Sequence, residues 1–190
     1  EGLVVEVLKA SPLRVEPLCT HFNICGGCSL QHLDAKQQIL LKQTVLLENL
    51  KRIGKSEPQE ILPPLSGPHW GYRRKARLGV RFVVKKDRLL VGFREKHSNF
   101  LAELDSCRVL HPSVGMRLIA AVIRSLSIYQ QIPQIEVAYG DEQGAFIIRH
   151  LEPITDEDID KLINYAKKTD FHHQTLGNIF SFAAIAKSYF

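Results

Sequence analysis

The chain has 190 residues, of which 45% are hydrophobic and 24% charged, the profile of a globular protein of one domain or two small ones rather than a disordered or fibrous chain. No run of about 18 apolar residues occurs, so no membrane-spanning helix is expected. The net charge is +5, yet between His69 and His97 ten Lys and Arg stand against only Asp87 and Glu95, a local +8 that leaves the remainder negative. Such a concentrated patch suits a polyanionic partner, or at the least a well-solvated hairpin.

In chain order, the sequence opens Glu1-Gly2-Leu3 without Met or a signal-like apolar core and reads as a piece of something longer. Residues 1–17 begin in alternation (Leu3, Val5, Val7 against Val4, Glu6, Leu8) and close with Pro12 and Pro17, which predicts the end of a β structure. A Cys- and Gly-rich loop occupies 18–33. Asp34 with Gln37 then predicts the start of a helix running to about Ile53, stopped by Gly54 with Pro58 beyond. Its Ile39, Leu40, Leu41, Val45, Leu46, Leu47, Leu50 and Ile53 form a wide apolar stripe that needs a surface to pack on. Pro58, Pro63, Pro64 and Pro68 mark a linker, so 34–68 reads as helix plus linker.

From 73 to 84 the pattern has period two. Arg73, Lys75, Arg77 and Arg81 share one face, and Ala76, Leu78, Val80 and Phe82 the other. A turn at Lys85-Lys86-Asp87 leads to a second strand at 89–94, and 100–104 fits a third. A helix over 115–129 follows Pro112; strands at 134–139 and 145–150 flank a turn at Asp141–Gly144. Thr155 with Asp158 caps a last helix to about Lys168, and 171–190 reads as a tail. The predicted class for 69–170 is α+β, antiparallel hairpins with helices on one face.

The four cysteines are Cys19, Cys25, Cys28 and, far along the chain, Cys107. Three thiols around Gly26-Gly27 make a loop able to wrap its ligands about one centre, with backbone amides facing the sulfurs. Disulfides fit poorly, since the chain is not a small Cys-dense domain. Zinc usually takes two C-x2–4-C knuckles, and the second is missing here. A three-Cys loop plus a remote Cys is a common iron–sulfur arrangement. Iron–sulfur, zinc and unliganded thiols stay open on spacing alone; His21 is a further ligand candidate or a hydrogen-bonding neighbour.

The segment Cys-Thr-His-Phe-Asn-Ile-Cys-Gly-Gly-Cys-Ser-Leu-Gln-His-Leu (19–33) resembles the bacterial uracil-C5 RNA methyltransferases, most closely the iron–sulfur type that acts on 23S ribosomal RNA. Arg14-Val-Glu-Pro17 is similar to the exit of that family's TRAM β-barrel; Tyr72–Leu78, Val91–Lys96, Cys107 and Ile135–Asp141 are similar to its central domain, in order. The resemblance covers about residues 1–170 and only loosely the stretch 179–190. It implies a 4Fe-4S cluster on Cys19, Cys25, Cys28 and Cys107, ribosomal RNA as partner, a cytoplasmic location, and S-adenosylmethionine bound by a catalytic domain not seen here. It also implies that the helix at 34–53 packs on that domain, so that this piece alone could self-associate.

Methylating C5 of uracil requires a nucleophile at C6, a Cys thiolate in the family, and a base to remove the C5 proton. With four Cys committed as ligands and no G-x-G-x-x-G loop, no catalytic and no cofactor-binding residue is assigned, and this piece is expected to be inactive. The RNA-contact candidates are Tyr72, Arg73, Lys75, Arg77, Arg81, Arg94 and Lys96, with Trp70 as a stacking residue or a core one. Two other classes remain, a stand-alone iron–sulfur or zinc RNA-binding module and an electron carrier; the basic hairpin disfavours the carrier.

Overall fold

Alternation at 75–83 and again at 134–139 and 144–149 gives strands that each have one apolar edge to hide, and the computed structural model pairs them into a sheet that does so. The structure describes residues 4–141, 144–168 and 171–176. They fall into two units, one of the described residues up to 22 with 28–68, the other of 23–27 with the described residues from 69 onwards.

In the larger unit the strands are β1 (Lys75–Val83), β2 (Arg88–Gly92), β3 (Gln134–Tyr139), β4 (Gly144–Arg149) and β5 (Phe171–Leu176), with helices α2 (Met116–Ser125) and α3 (Asp156–Lys168); α1 (Ala35–Arg52) belongs to the smaller unit. The sheet order is β2-β1-β3-β4-β5, antiparallel except for the parallel β4–β5 pair. Register sets Val80 opposite Val91, Leu78 opposite Ile135, and Val137 opposite Phe146, so one face is continuously apolar. That face, with Met116, Ile119, Val122 and Ile123 of α2 and Leu162 of α3, forms the core. Each fully buried side chain of this size contributes about 1.5–3 kcal/mol. At the β1–β2 turn Asp87 adopts a left-handed conformation (φ 44°), tolerated by Asp. Arg124 secures the turn with a 2.9 Å bond to Asp87 while lying over the rings of Phe82 and Tyr129.

Several elements differ from the sequence expectation. The helix expected over 115–129 ends at Ser125, because Leu126 turns extended and Ser127 is drawn away by Asp158 of α3. The segment 100–104 is not a strand. Only Leu101 bridges Arg94, with Ala102 N–H bonded to the Phe93 carbonyl, and β2 accordingly stops at Gly92. A Cβ on Gly92 would stand 2.9 Å from the Ala102 carbonyl oxygen, so only glycine admits this crossing. Residues 171–176, taken as tail, form β5; Phe-His-His-Gln-Thr-Leu carries no apolar alternation to announce it. The expectation for 179–190 lies outside the described residues.

Asp158 is fully buried and holds two elements together. Its carboxylate accepts from Ser127 N–H (2.9 Å) and hydroxyl (2.6 Å) and from Lys161 (3.2 Å), while its own N–H donates to Thr155 Oγ1 (3.2 Å). Burial pushes its pKa up, but the Ser127 and Lys161 bonds outweigh burial and hold it below the usual carboxylate value. With the folded pKa depressed, its stabilisation is present above the unfolded pKa of about 3.9 and is lost as pH falls through the folded value. Asp158→Ala should therefore destabilise the chain by about 2–3 kcal/mol near pH 7. In denaturant melts the gap to the parent chain should narrow below about pH 4. A gap constant down to acid pH would show that the ionised carboxylate is not what stabilises.

The smaller unit is built on α1 (Ala35–Arg52). Asp34 caps it as expected, its carboxylate accepting from the N–H groups of Lys36 and Gln37. Lys51 and Arg52 suit the negative end of the helix. No residue of α1 is buried; Leu40, Leu41, Val45 and Leu46 of the expected stripe are exposed. The β structure expected at 1–17 does not form among the described residues: Val4, Val5 and Leu8 lie exposed without ladder partners. Only 13–15 pairs, alongside 32–34, through an Arg14–Leu33 bridge and the bond from Val15 N–H to the His32 carbonyl.

Candidate nucleic-acid interface and cysteine loop

Because β1 buries Ala76, Leu78 and Val80, its Lys75, Arg77 and Arg81 stand exposed on the opposite face of the sheet. Arg77 is paired at 3.1 Å with Glu136, its register neighbour on β3. The other RNA-contact candidates are more dispersed. Arg73 precedes β1, is bridged to Leu110, and carries its guanidinium 5.7 Å from the Phe93 ring centre. Arg94 donates to Asn99 at 2.9 Å, and the Lys96 N–H bonds to the Ile24 carbonyl. Tyr72 is 52% exposed and Trp70 36%, so Trp70 is not a core residue.

Two cations outside the sequence candidates join this surface. Arg149 ends β4 and, opposite Gln134, lies on the same face as Lys75 and Arg77. Arg74 bonds the Gly140 carbonyl and pairs with Asp141. Strand alternation would have found Arg149, but only after the register of β3 against β4 was known.

The cysteine loop is stitched to the end of the first hairpin. Cys25 bridges Glu95, Gly26 N–H bonds to the Arg94 carbonyl at 2.8 Å, and Lys96 N–H to the Ile24 carbonyl at 2.9 Å. Gly26 is sterically required, and Gly27 is tightly placed. A Cβ on Gly26 would stand 2.9 Å from the Arg94 oxygen; one on Gly27 would stand 3.1 Å from the Phe93 ring and 3.4 Å from Cys25 Sγ. Gly27 N–H points at Cys25 Sγ (3.3 Å), the amide-to-sulfur geometry expected of a metal-holding loop. Cys25 is buried, while Cys19, Cys28 and Cys107 are half-buried, and none of the four is in a disulfide.

Cys19 and Cys28 lie in the smaller unit, Cys25 and Cys107 in the larger. Among the described residues no three His, Cys, Asp or Glu side chains are gathered as a metal-ligand group. Within the smaller unit, the Phe22 ring packs 5.8 Å from that of His32, and the buried Gln31 Oε1 has no hydrogen-bond partner among the described residues. Donor chemistry and the glycine cradle suit a thiolate-bound cluster. Among the described residues no helix is long and apolar enough to cross a membrane.

No family model matches the chain. It is similar to the 23S rRNA (uracil(1939)-C(5))-methyltransferase RlmD of Nitrosococcus oceani, 54% identical over 170 residues, covering 88% of this chain and 38% of that protein. The proteins of the same name from Alkalilimnicola ehrlichii and Hahella chejuensis are each 52% identical, over 88% and 89% of this chain and 38% of theirs. The resemblance read from the cysteine motif is thus borne out, and the chain spans about two-fifths of the length of these relatives. Its fold is similar to that of the Pyrococcus abyssi tRNA (uracil-54, C5)-methyltransferase solved with S-adenosyl-L-homocysteine, with a TM-score of 0.57 and 21% identity, covering 94% of this chain and 41% of that one.

Proposed function

We propose that this chain is the cluster-holding, RNA-gripping portion of an S-adenosylmethionine-dependent methyltransferase that converts a uracil of 23S ribosomal RNA to 5-methyluridine in the cytoplasm. The observation that carries the reading is identity of 52–54% to RlmD proteins along nearly nine-tenths of this chain. In this reading 18–33 form the cluster loop, 34–68 supply the helix that meets the catalytic domain, 69–170 grip RNA, and 171–190 lead towards that domain.

Cys19, Cys25, Cys28 and Cys107 would hold a 4Fe-4S cluster, whose contribution when bound is structural. The residues of this chain do the rest. Gly26 and Gly27 let the loop press against 93–95, and the Gly27 amide supports the Cys25 sulfur. Lys75, Arg77 and Arg81 present cations to phosphate. With every thiol a ligand, no group here attacks uracil C6, so nucleophile, base and S-adenosylmethionine site belong to the catalytic domain.

The chain is mixed with S-adenosylmethionine labelled in its methyl group and a uridine-containing ribosomal RNA fragment. RNA should be bound and no label transferred; label at a uracil C5 would mean that one of the four Cys is a nucleophile and would sink the ligand assignment. The exposed stripe of α1 should also drive association of this piece with itself, read as a sedimentation coefficient that rises with concentration. A concentration-independent monomer would remove that expectation.

A further inference from the structure

The sheet face turned away from α2 and α3 is ordered in rows. By register, Lys75, Ala138 and Ala145 form one row across β1, β3 and β4; Arg77, Glu136 and Ile147 form the next; Gly79, Gln134 and Arg149 form the third. The first row opens into a hollow of about 450 Å³ lined by Arg74, Lys75, Ala138, Gly140, Gly144 and Ala145, among others. Tyr139 also lines it but belongs to the core and stacks its ring on His111, so beside it the two alanines and two glycines raise nothing beyond a Cβ and a flat ring can lie against them. Arg74, held by the Gly140 carbonyl and Asp141, stands at its wall.

The charge of the face suits an anionic ligand. Lys75, Arg77, Arg81 and Arg149 are exposed cations, and the one carboxylate among those rows, Glu136, is already engaged by Arg77. From the row of Lys75 to that of Arg149 is four residues, roughly 13 Å by strand rise, enough for a short extended stretch of sugar–phosphate backbone. A flat hollow beside a line of cations suits a single strand with one base turned inward, whereas a duplex keeps its bases stacked away from such a floor.

We infer that the hollow at Lys75, Ala138 and Ala145 is a subsite for one unstacked RNA base, and that Arg149 extends the phosphate track across the sheet from β1 to β4. The inference rests on the RNA-binding reading above and adds to it a place and a ligand. Binding is followed by anisotropy of a labelled single-stranded RNA of about a dozen nucleotides, alongside a duplex of equal length. On the unaltered chain, replacing each base in turn by an abasic site should weaken binding about five-fold at one position. Ala145→Leu, or Ala138→Leu on the neighbouring strand, should fill the hollow, abolish that positional effect, and leave duplex binding and salt slope unchanged. Arg149→Gln should weaken binding about five-fold and lower the salt slope by about 0.7.

A flat abasic profile on the unaltered chain, or equal loss on duplex and single strand in the Leu variants, overturns the base subsite; an unchanged slope in Arg149→Gln overturns the track. If the unaltered chain binds no RNA, the underlying reading has failed instead.

Discussion

Replacing Arg73, Lys75 and Arg77 together by Gln is expected to weaken RNA binding by about 30–100-fold near 0.1 M salt and to lower the slope of log K against log salt by about 2. Each cation that neutralises a phosphate releases part of a counterion, about 0.7 for a single strand, so three lost contacts multiply. The three positions differ in what they leave behind. Arg77 is paired with Glu136 in the absence of RNA and is 66% exposed; an exposed pair of this kind is worth at most about 1 kcal/mol to the fold. Arg73 lies over the Phe93 ring, a contact of about 0.5–1 kcal/mol at an accessible site. Lys75 is exposed on the same face as Arg77. The triple variant should therefore stay folded, with a melting temperature within a few degrees of the parent, and lose its RNA. Unchanged affinity and unchanged slope would take β1 out of the interface.

How far the sequence foretold this arrangement depends on whether the information was local. The cap at Asp34, the alternation of 75–83 and the turn ending at Asp87 are written within a few residues, and each stands where it was expected. The end of α2 was not legible, because it is decided by a hydrogen bond from Ser127 to Asp158, 31 residues away. The segment 100–104 has strand composition but is offered only one bridge. Conversely, β5 has poor strand composition and is recruited by the parallel edge of β4. The exposed 4–8 segment shows the same dependence, since alternation makes a strand only where a neighbour supplies the ladder.

The candidate site divides the same way. Cysteine spacing marked the loop, and the glycines needed for its approach to 93–95 were visible as Gly26-Gly27. That the approach is to the end of the first hairpin was not. Nor was Arg149, a lone cation at the end of an apolar strand, whose place on the same face as Lys75 and Arg77 depends on two registers at once. Trp70 could be read either way in sequence and proves to be at the surface.

Replacing Cys107 by Ala should strip the iron and loosen the fold. In the proposed site Cys107 is the distant ligand, 79 positions beyond Cys28 in the sequence, and it is packed at the margin of the core of the larger unit. A cluster bound through it closes a long loop and adds its binding free energy to folding. Removing that ligand leaves three thiolates around an incomplete centre. Anaerobically purified parent chain should carry about four irons with matching sulfide and a broad absorption in the visible. The variant should retain a minor fraction of that iron, and its melting temperature should fall by about 10 °C, as expected for a loss of a few kcal/mol in a chain of this size. The side chain itself is a small part of the effect, because a half-buried thiol exchanged for a methyl costs about 1 kcal/mol or less in packing. A parent chain containing stoichiometric zinc and no iron would make the centre a zinc site. Full iron content with an unchanged melting temperature in the variant would show that Cys107 is not a ligand, and the cluster would have to be held by the loop at 19–28 with some other partner.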